Sequence, residues 1–409
     1  MQSLPSFSLQ PIILTVFLLC ITTKVHSSTL GADIEVLRLF KQSIDPVSIP
    51  AYSYIYSWDF SVDPCESSGA FLGILCKFPL DNSSIRIMAI DLDAIGYDGF
   101  LSPSIGNLSE LSTLSLGRNN FRGPIPETIG NLQKLTRLSL AENLFTGRIP
   151  PAITKLKILD TLDLSQNHLS GSIPTNITIL RSLTHLSFAN NALSGRIPDL
   201  TGLWQLNTLD LGNNQLHGNL PKLPLNLKIL SLKRNILSGH LSPLKSLHHL
   251  TSFDVSDNRL SGIIGQELLT LPMVTQIDVS VNQLTAIEAV RVPHRESQLQ
   301  ELDAHGNELR GRLPIGLVSL ENLAVLDLSH NRFFGPIPRE YGSKVGTSWK
   351  TLFLANNFLS GNLPPEFISS ATTIRGSLAN NCLKCPATNP LCRGGQKSNS
   401  ECVSQNARR

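Results

Sequence analysis

The chain has 409 residues, of which 41% are hydrophobic and only 16% charged, with a formal net charge of +3. That balance excludes a disordered polyelectrolyte, and without a Lys/Arg cluster there is no electrostatic footprint for a nucleic-acid backbone. Aromatic residues, at 6%, leave little for base-stacking platforms, so no nucleic-acid partner is expected.

The N-terminus carries an apolar run from Pro11 to Thr23, followed by Val25-His26-Ser27-Ser28. A membrane helix needs about 20 apolar residues, so this shorter run reads as a secretory signal peptide over 1–28, although residues 1–10 carry no Lys or Arg. Cysteine use agrees with export. Cys20 leaves with the leader, and Cys65, Cys76, Cys382, Cys385, Cys392 and Cys402 sit at the two ends of what remains. In an oxidising compartment they read as disulfides rather than as zinc or redox sites. The four in the tail allow three pairings.

After the leader, Ile34, Leu37, Phe40 and Ile44 follow helical spacing. From residue 84 onward one phrase recurs. Leu111-Ser-Thr-Leu114-Ser-Leu116-Gly-Arg-Asn119-Asn-Phe121-Arg-Gly123-Pro-Ile125-Pro126 is repeated with its Asn at 143, 167, 191, 214, 235, 258, 282, 307, 331, 357 and 381, at intervals of 21 to 26 residues. Such self-similarity means a stack of about twelve coils plus a degenerate last one. Leu114 and Leu116 alternate with period two, so each coil should hold a short strand with its leucines inward. Asn119, Asn143, Asn167, Asn191, Asn214, Asn235, Asn258, Asn282, Asn307, Asn331 and Asn357 should form a ladder. Their amides would satisfy backbone groups that the turn leaves unpaired, each costing about 1–3 kcal/mol if unmet. No coil buries its own leucine face, so neighbours and end caps supply the stability.

The Gly-x-Ile-Pro extension (Gly123–Pro126, Gly171–Pro174, Gly335–Pro338), with the leader Asp33–Pro46 and Trp58-Asp…Asp63-Pro64-Cys65…Cys76, resembles the plant extracellular leucine-rich repeat family of receptor-like proteins and receptor-kinase ectodomains. The resemblance covers nearly all of the mature chain. It implies an α/β solenoid: a right-handed leucine-rich repeat superhelix with a parallel concave sheet and disulfide-bearing caps at both ends. The expected division is a signal peptide over 1–28, a cap over 29–83, repeats over 84–381, and a Cys-rich cap and tail over 382–409. One departure is the short cap motif, which has Phe71-Leu-Gly73-Ile before Cys76 and no Trp.

The tail after Cys402 is polar, with no apolar stretch or lipid-anchor signal, and no kinase motif is present. A chain without its own membrane span is expected: either a free secreted protein or the outer half of a longer receptor. His185, His305 and His330 should face outward, none with a partnered nucleophile, and His248-His249 reads as solvated, so no enzyme, cofactor or metal is expected. Asp254, Asp278, Asp303 and Asp327 form a column that could be a calcium or basic-ligand stripe. The plainer reading is the family's common strand wording.

Solenoids bind partners on concave faces. The departures from bland residues there are Arg137, His185, Lys228, Lys233, Arg234, Gln276, Glu301, His305 and Phe353, the candidate partner-binding set. Lys233-Arg234 only loosely resembles the paired arginines with which some family members hold a peptide carboxylate. Sequons at Asn82, Asn107 and Asn176 mark candidate glycans on the outside of the first coils. The repeat phrase is lost near 239–243, 262–265 and 284–296. The resemblance implies a secreted recognition protein for an extracellular peptide or protein, with a membrane receptor kinase as a candidate partner. The alternative is an apoplastic inhibitor of a wall-degrading enzyme such as polygalacturonase.

Overall fold

The computed structural model describes residues 28–66, 69–78, 83–289, 297–369, 373–386 and 388–406. The proposed leader over 1–28 apart from Ser28, the sequon Asn82, and residues 290–296 of the irregular stretch 284–296 lie outside them. The chain builds a leucine-rich repeat solenoid around a fourteen-stranded sheet. A cap strand, Ile74–Lys77, pairs antiparallel with Arg86–Asp91, and every later pairing in that sheet is parallel. The three-residue strands run from Thr113–Ser115 and Arg137–Ser139 through Val325–Asp327 and Thr351–Phe353 to Arg375–Ser377. Their register does not slip: Leu114 faces Leu138, Leu138 faces Leu162, and so on to Leu326 and Leu352. Repeating leucines therefore meet repeating leucines, and a single hydrophobic core runs from Val36 in the first helix to Cys392 in the last cap.

After each strand the chain turns off the sheet through a residue at positive φ, such as Arg118, Glu142 or Gln166, with φ between 54° and 58°. The asparagine that follows is the joint between coils. The Asn143 side-chain oxygen accepts the N–H of Phe121 at 2.9 Å, and its amide donates to the carbonyls of Leu116, Leu140 and Ala141 at 2.9, 3.2 and 3.1 Å. The same pattern runs on to Asn381, which accepts from Leu359 and donates to Leu354, Leu378 and Ala379. Each amide so bonds the backbone of its own coil and the one before it.

Beyond the asparagine lies a second parallel sheet. Nine strands from Asp98–Phe100 to Gln283–Ile287 form one stretch, and four from Arg310–Gly311 to Cys382–Lys384 form another. The repeated glycine sits here at φ 78° to 80° in Gly123, Gly147 and Gly171, a left-handed backbone that other residues adopt only with strain. The Pro that follows cannot extend the strand, and the chain enters 3-10 turns such as Glu127–Asn131 and Thr175–Ile179, burying Ile129 and Ile177. In this Ile-Gly-Asn phrase a Cβ on Gly106 or Gly130 would collide with the carbonyl of Thr128 or Ala152 on the next coil. The outer side of many coils is therefore a strand and a 3-10 turn, with regular α-helix only in short pieces such as Gln266–Leu269 and Arg339–Gly342.

The first cap is the helix Gly31–Gln42, which buries Val36, Leu37 and Phe40, while Ile34 stays partly exposed. It also buries Asp33, held by the Arg86 guanidinium at 2.9 and 3.1 Å and by the Ile87 N–H at 3.0 Å. Trp58 is buried with its indole N–H on the Leu72 carbonyl, and Cys65 bonds Cys76. In the second cap the open choice of pairings resolves to Cys382–Cys402 enclosing Cys385–Cys392.

Candidate functional site

Between the inward leucines, two columns of side chains project from the long sheet. One contains Arg137, Thr161, His185, Thr208, Ile229, Ser252, Gln276, Glu301, Val325 and Thr351, each in direct register with the next. The other contains Asp163, Ser187, Asp210, Ser231, Asp254, Asp278, Asp303, Asp327 and Phe353. Backbone pairing thus fixes their order and spacing at about 4.8 Å per strand.

The candidate residues distribute unevenly over this frame. Arg137 and Gln276 stand exposed on the sheet, and His185, Glu301 and Phe353 are half-buried there. The Gln276 side chain spans between Ser252 and Glu301 at 3.5 and 3.4 Å. Lys228 precedes the strand Ile229–Ser231 and is exposed. Lys233 leans onto Asp254 of the next coil at 3.2 Å. Arg234 is not on the sheet: at φ 51° it occupies the turn that leads away from it, 3.9 Å from Asp257. The adjacent pair therefore diverges instead of forming a two-pronged clamp. His330 takes the same turn position and bonds Asn356. Asn107 and Asn176 are exposed on 3-10 turns, away from the sheet.

The aspartate column has a local cause. In Asp163, Asp254, Asp278 and Asp327 one oxygen accepts the N–H and the hydroxyl of the Ser two residues on. The carboxylate thus ties down the end of its own strand. In the Asp303 coil that Ser is replaced by His305, whose N–H and Nδ1 lie 3.0 and 2.7 Å from the Asp303 oxygen. Burial pushes the carboxyls of Asp278 and Asp327 above their usual range, with the charge of Asp303 adding to both. The bond to Asp303 raises the His305 imidazole. Among the described residues, ligand-bearing atoms of Asp303, His305 and Asp327 lie within 4.8 Å of one another. The Asp-x-Ser to Asp-x-His change was the available sequence signal for that convergence.

On the outer side, a cavity of about 490 Å³ opens beside the short helix Gln266–Leu269, lined by His240, Leu241, Lys245, Ile263, Glu267 and Glu288. It lies where the Gly-x-Ile-Pro phrase is lost.

Family models described as leucine-rich repeats match residues 109–169, 159–180, 181–224 and 322–343. A probably inactive leucine-rich repeat receptor-like protein kinase of Arabidopsis thaliana is 32% identical over 109 residues, 26% of this chain and 16% of that protein. Among solved structures, PEPR1–AtPEP1 superposes with a TM-score of 0.72 at 30% identity, over 87% of this chain and 50% of that one. The plant peptide hormone receptor RGFR1, in complex with RGF2, gives 0.57 at 29% identity, over 74% and 57%. The chain thus spans about half the length of these receptor structures, and its match covers less than a fifth of the curated relative. No helix among the described residues is long and apolar enough to cross a membrane. Repeat phrase, stacked parallel sheet and these likenesses agree: the chain is a leucine-rich repeat solenoid similar to the ectodomains of plant receptors.

Proposed function

We propose that the chain is a secreted, non-enzymatic recognition module that holds an extracellular peptide or protein against its long parallel sheet. The observation that carries this reading is the pair of in-register outward columns, a strip of mostly short side chains, many of them aspartates, punctuated by Arg137, His185, Gln276, Glu301 and Phe353. Small residues let a partner backbone approach, and the larger polar ones give it direction and register. The likeness to a peptide hormone receptor in complex with its peptide supports the same reading. A receptor kinase fits as the membrane partner, and glycans on Asn107 and Asn176 would leave the sheet open.

The test is a photo-reactive residue placed at position 185 on the sheet or at 178 on the outer turn, exposed to secreted plant peptides and proteins. Specific adducts at 185, lost in Arg137→Glu, support the proposal; equal labelling at both positions refutes it. Dose-dependent inhibition of a fungal polygalacturonase in the same preparation would instead make the chain an enzyme inhibitor.

A further inference from the structure

We propose that Asp303, His305 and Asp327 form a binding site for one divalent transition-metal cation of the zinc class. Asp303 and Asp327 are register partners on adjacent parallel strands, Glu301–Asp303 and Val325–Asp327, so sheet pairing holds their carboxylates side by side. In neighbouring coils the position two residues after the aspartate is a serine that only caps its strand. Here it is an imidazole, braced by the Asp303 carboxylate at 2.7 Å. One donor atom from each of the three residues falls within a 4.8 Å span. Small side-chain rotations would bring such a set to the ligand distances of about 2.0–2.2 Å that zinc takes from nitrogen and carboxylate oxygen.

Charge points the same way. Asp254, Asp278, Asp303 and Asp327 follow one another in register on successive strands. Lys233 neutralises the Asp254 end at 3.2 Å. At the other end Asp303 meets the His305 imidazole at 2.7 Å, which carries charge only when protonated. A cation placed there would offset the repulsion between two adjacent carboxylates. One imidazole with two carboxylates suits zinc-like ions, whereas calcium prefers six to eight oxygens. Water would fill the remaining positions on the open face. The inference rests on this geometry and is independent of the recognition reading.

Calorimetric titration of the full chain with Zn²⁺ alone should give one binding event, with Ca²⁺ weaker by at least about tenfold. Asp303→Asn, Asp327→Asn and His305→Ser should each weaken Zn²⁺ by at least about tenfold. His305→Ser restores the Asp-x-Ser phrase of the adjoining coils, so its fold should be retained, as circular dichroism would check. Asp163→Asn, in the same column on a distant strand, should leave Zn²⁺ binding unchanged. With Co²⁺ as probe, the visible absorption of the bound ion should change in His305→Ser as a nitrogen ligand is lost. A flat Zn²⁺ titration, Zn²⁺ binding unchanged in His305→Ser or Asp327→Asn, or equal affinity for Ca²⁺ would overturn the site.

Discussion

The asparagines do for this fold what no apolar residue could. Asn258 accepts the Leu237 N–H at 2.9 Å and donates to the carbonyls of Leu232, Val255 and Ser256 at 3.0, 3.2 and 3.0 Å, in a buried position. Asn258→Ala would strand the Leu237 N–H away from water, at about 1–3 kcal/mol, and take one donor from three carbonyls that each keep another, from Asn235, Asn282 and the Arg234 N–H. Urea unfolding of that variant should therefore show a loss of about 1–3 kcal/mol. Asn258→Asp should be worse, because it sets a carboxylate against three carbonyl oxygens; equal losses would contradict this. Asp33 makes a similar argument at the cap, where removing it leaves Arg86 without its bidentate partner. Asp33→Ala should cost about 3–5 kcal/mol. The repeating asparagine stands out in the sequence because its position recurs. Asp33 does not, because nothing local distinguishes it from an ordinary N-terminal helix acid whose partner lies 53 residues away.

Within the coil, the elements differ in how far they show in the sequence. The concave strand is evident because leucines alternate around one outward residue. The second sheet is harder to see: its strands, such as Phe121 flanked by Asn120 and Arg122, show only one buried residue before the glycine turns the chain. Arg234 looked like a sheet residue because it neighbours Lys233, but the positive-φ turn that precedes each ladder asparagine falls there. At the first cap, Glu110 links two elements, bonding Lys134 on the next coil and Lys77 on the antiparallel cap strand. Its bond to Lys134 is the largest influence; burial opposes it, and the weaker effect of the Lys77 bond helps hold the carboxyl below its ordinary value of 4.5. A carboxylate lowered by folding stabilises the native state above its unfolded value, and that contribution is lost as pH falls through the folded value. Both lysines are about half exposed, so Glu110→Gln should cost under about 1 kcal/mol at pH 7. The difference from wild type should vanish below the folded value and shrink in high salt. A difference that grows toward low pH would refute the assignment.

Across the whole molecule, each coil is tied to the next by the long sheet, the asparagine ladder and the second sheet. The first two run unbroken past residue 290: Gln276–Asp278 pairs Glu301–Asp303, and Asn307 bonds Leu284 and Val279. The second sheet does not. Gln283–Ile287 ends one stretch, Arg310–Gly311 begins the next, and the Glu308 N–H on the Leu284 carbonyl remains between them. In a stack whose stability sums over neighbouring interfaces, losing one tie makes that junction the weakest. Native-state hydrogen exchange should then resolve two cooperative units, with amides of 301–384 opening together at lower free energy than those of 113–264. The C-terminal unit is closed by Cys382–Cys402, a loop of sequence separation 20. Reducing that bond should lower the opening free energy of 301–384 by about 3 kcal/mol while leaving the first unit unchanged. A single uniform exchange isotherm across the junction, or equal loss on both sides after reduction, would mean that the long sheet and ladder alone keep the coils one cooperative body.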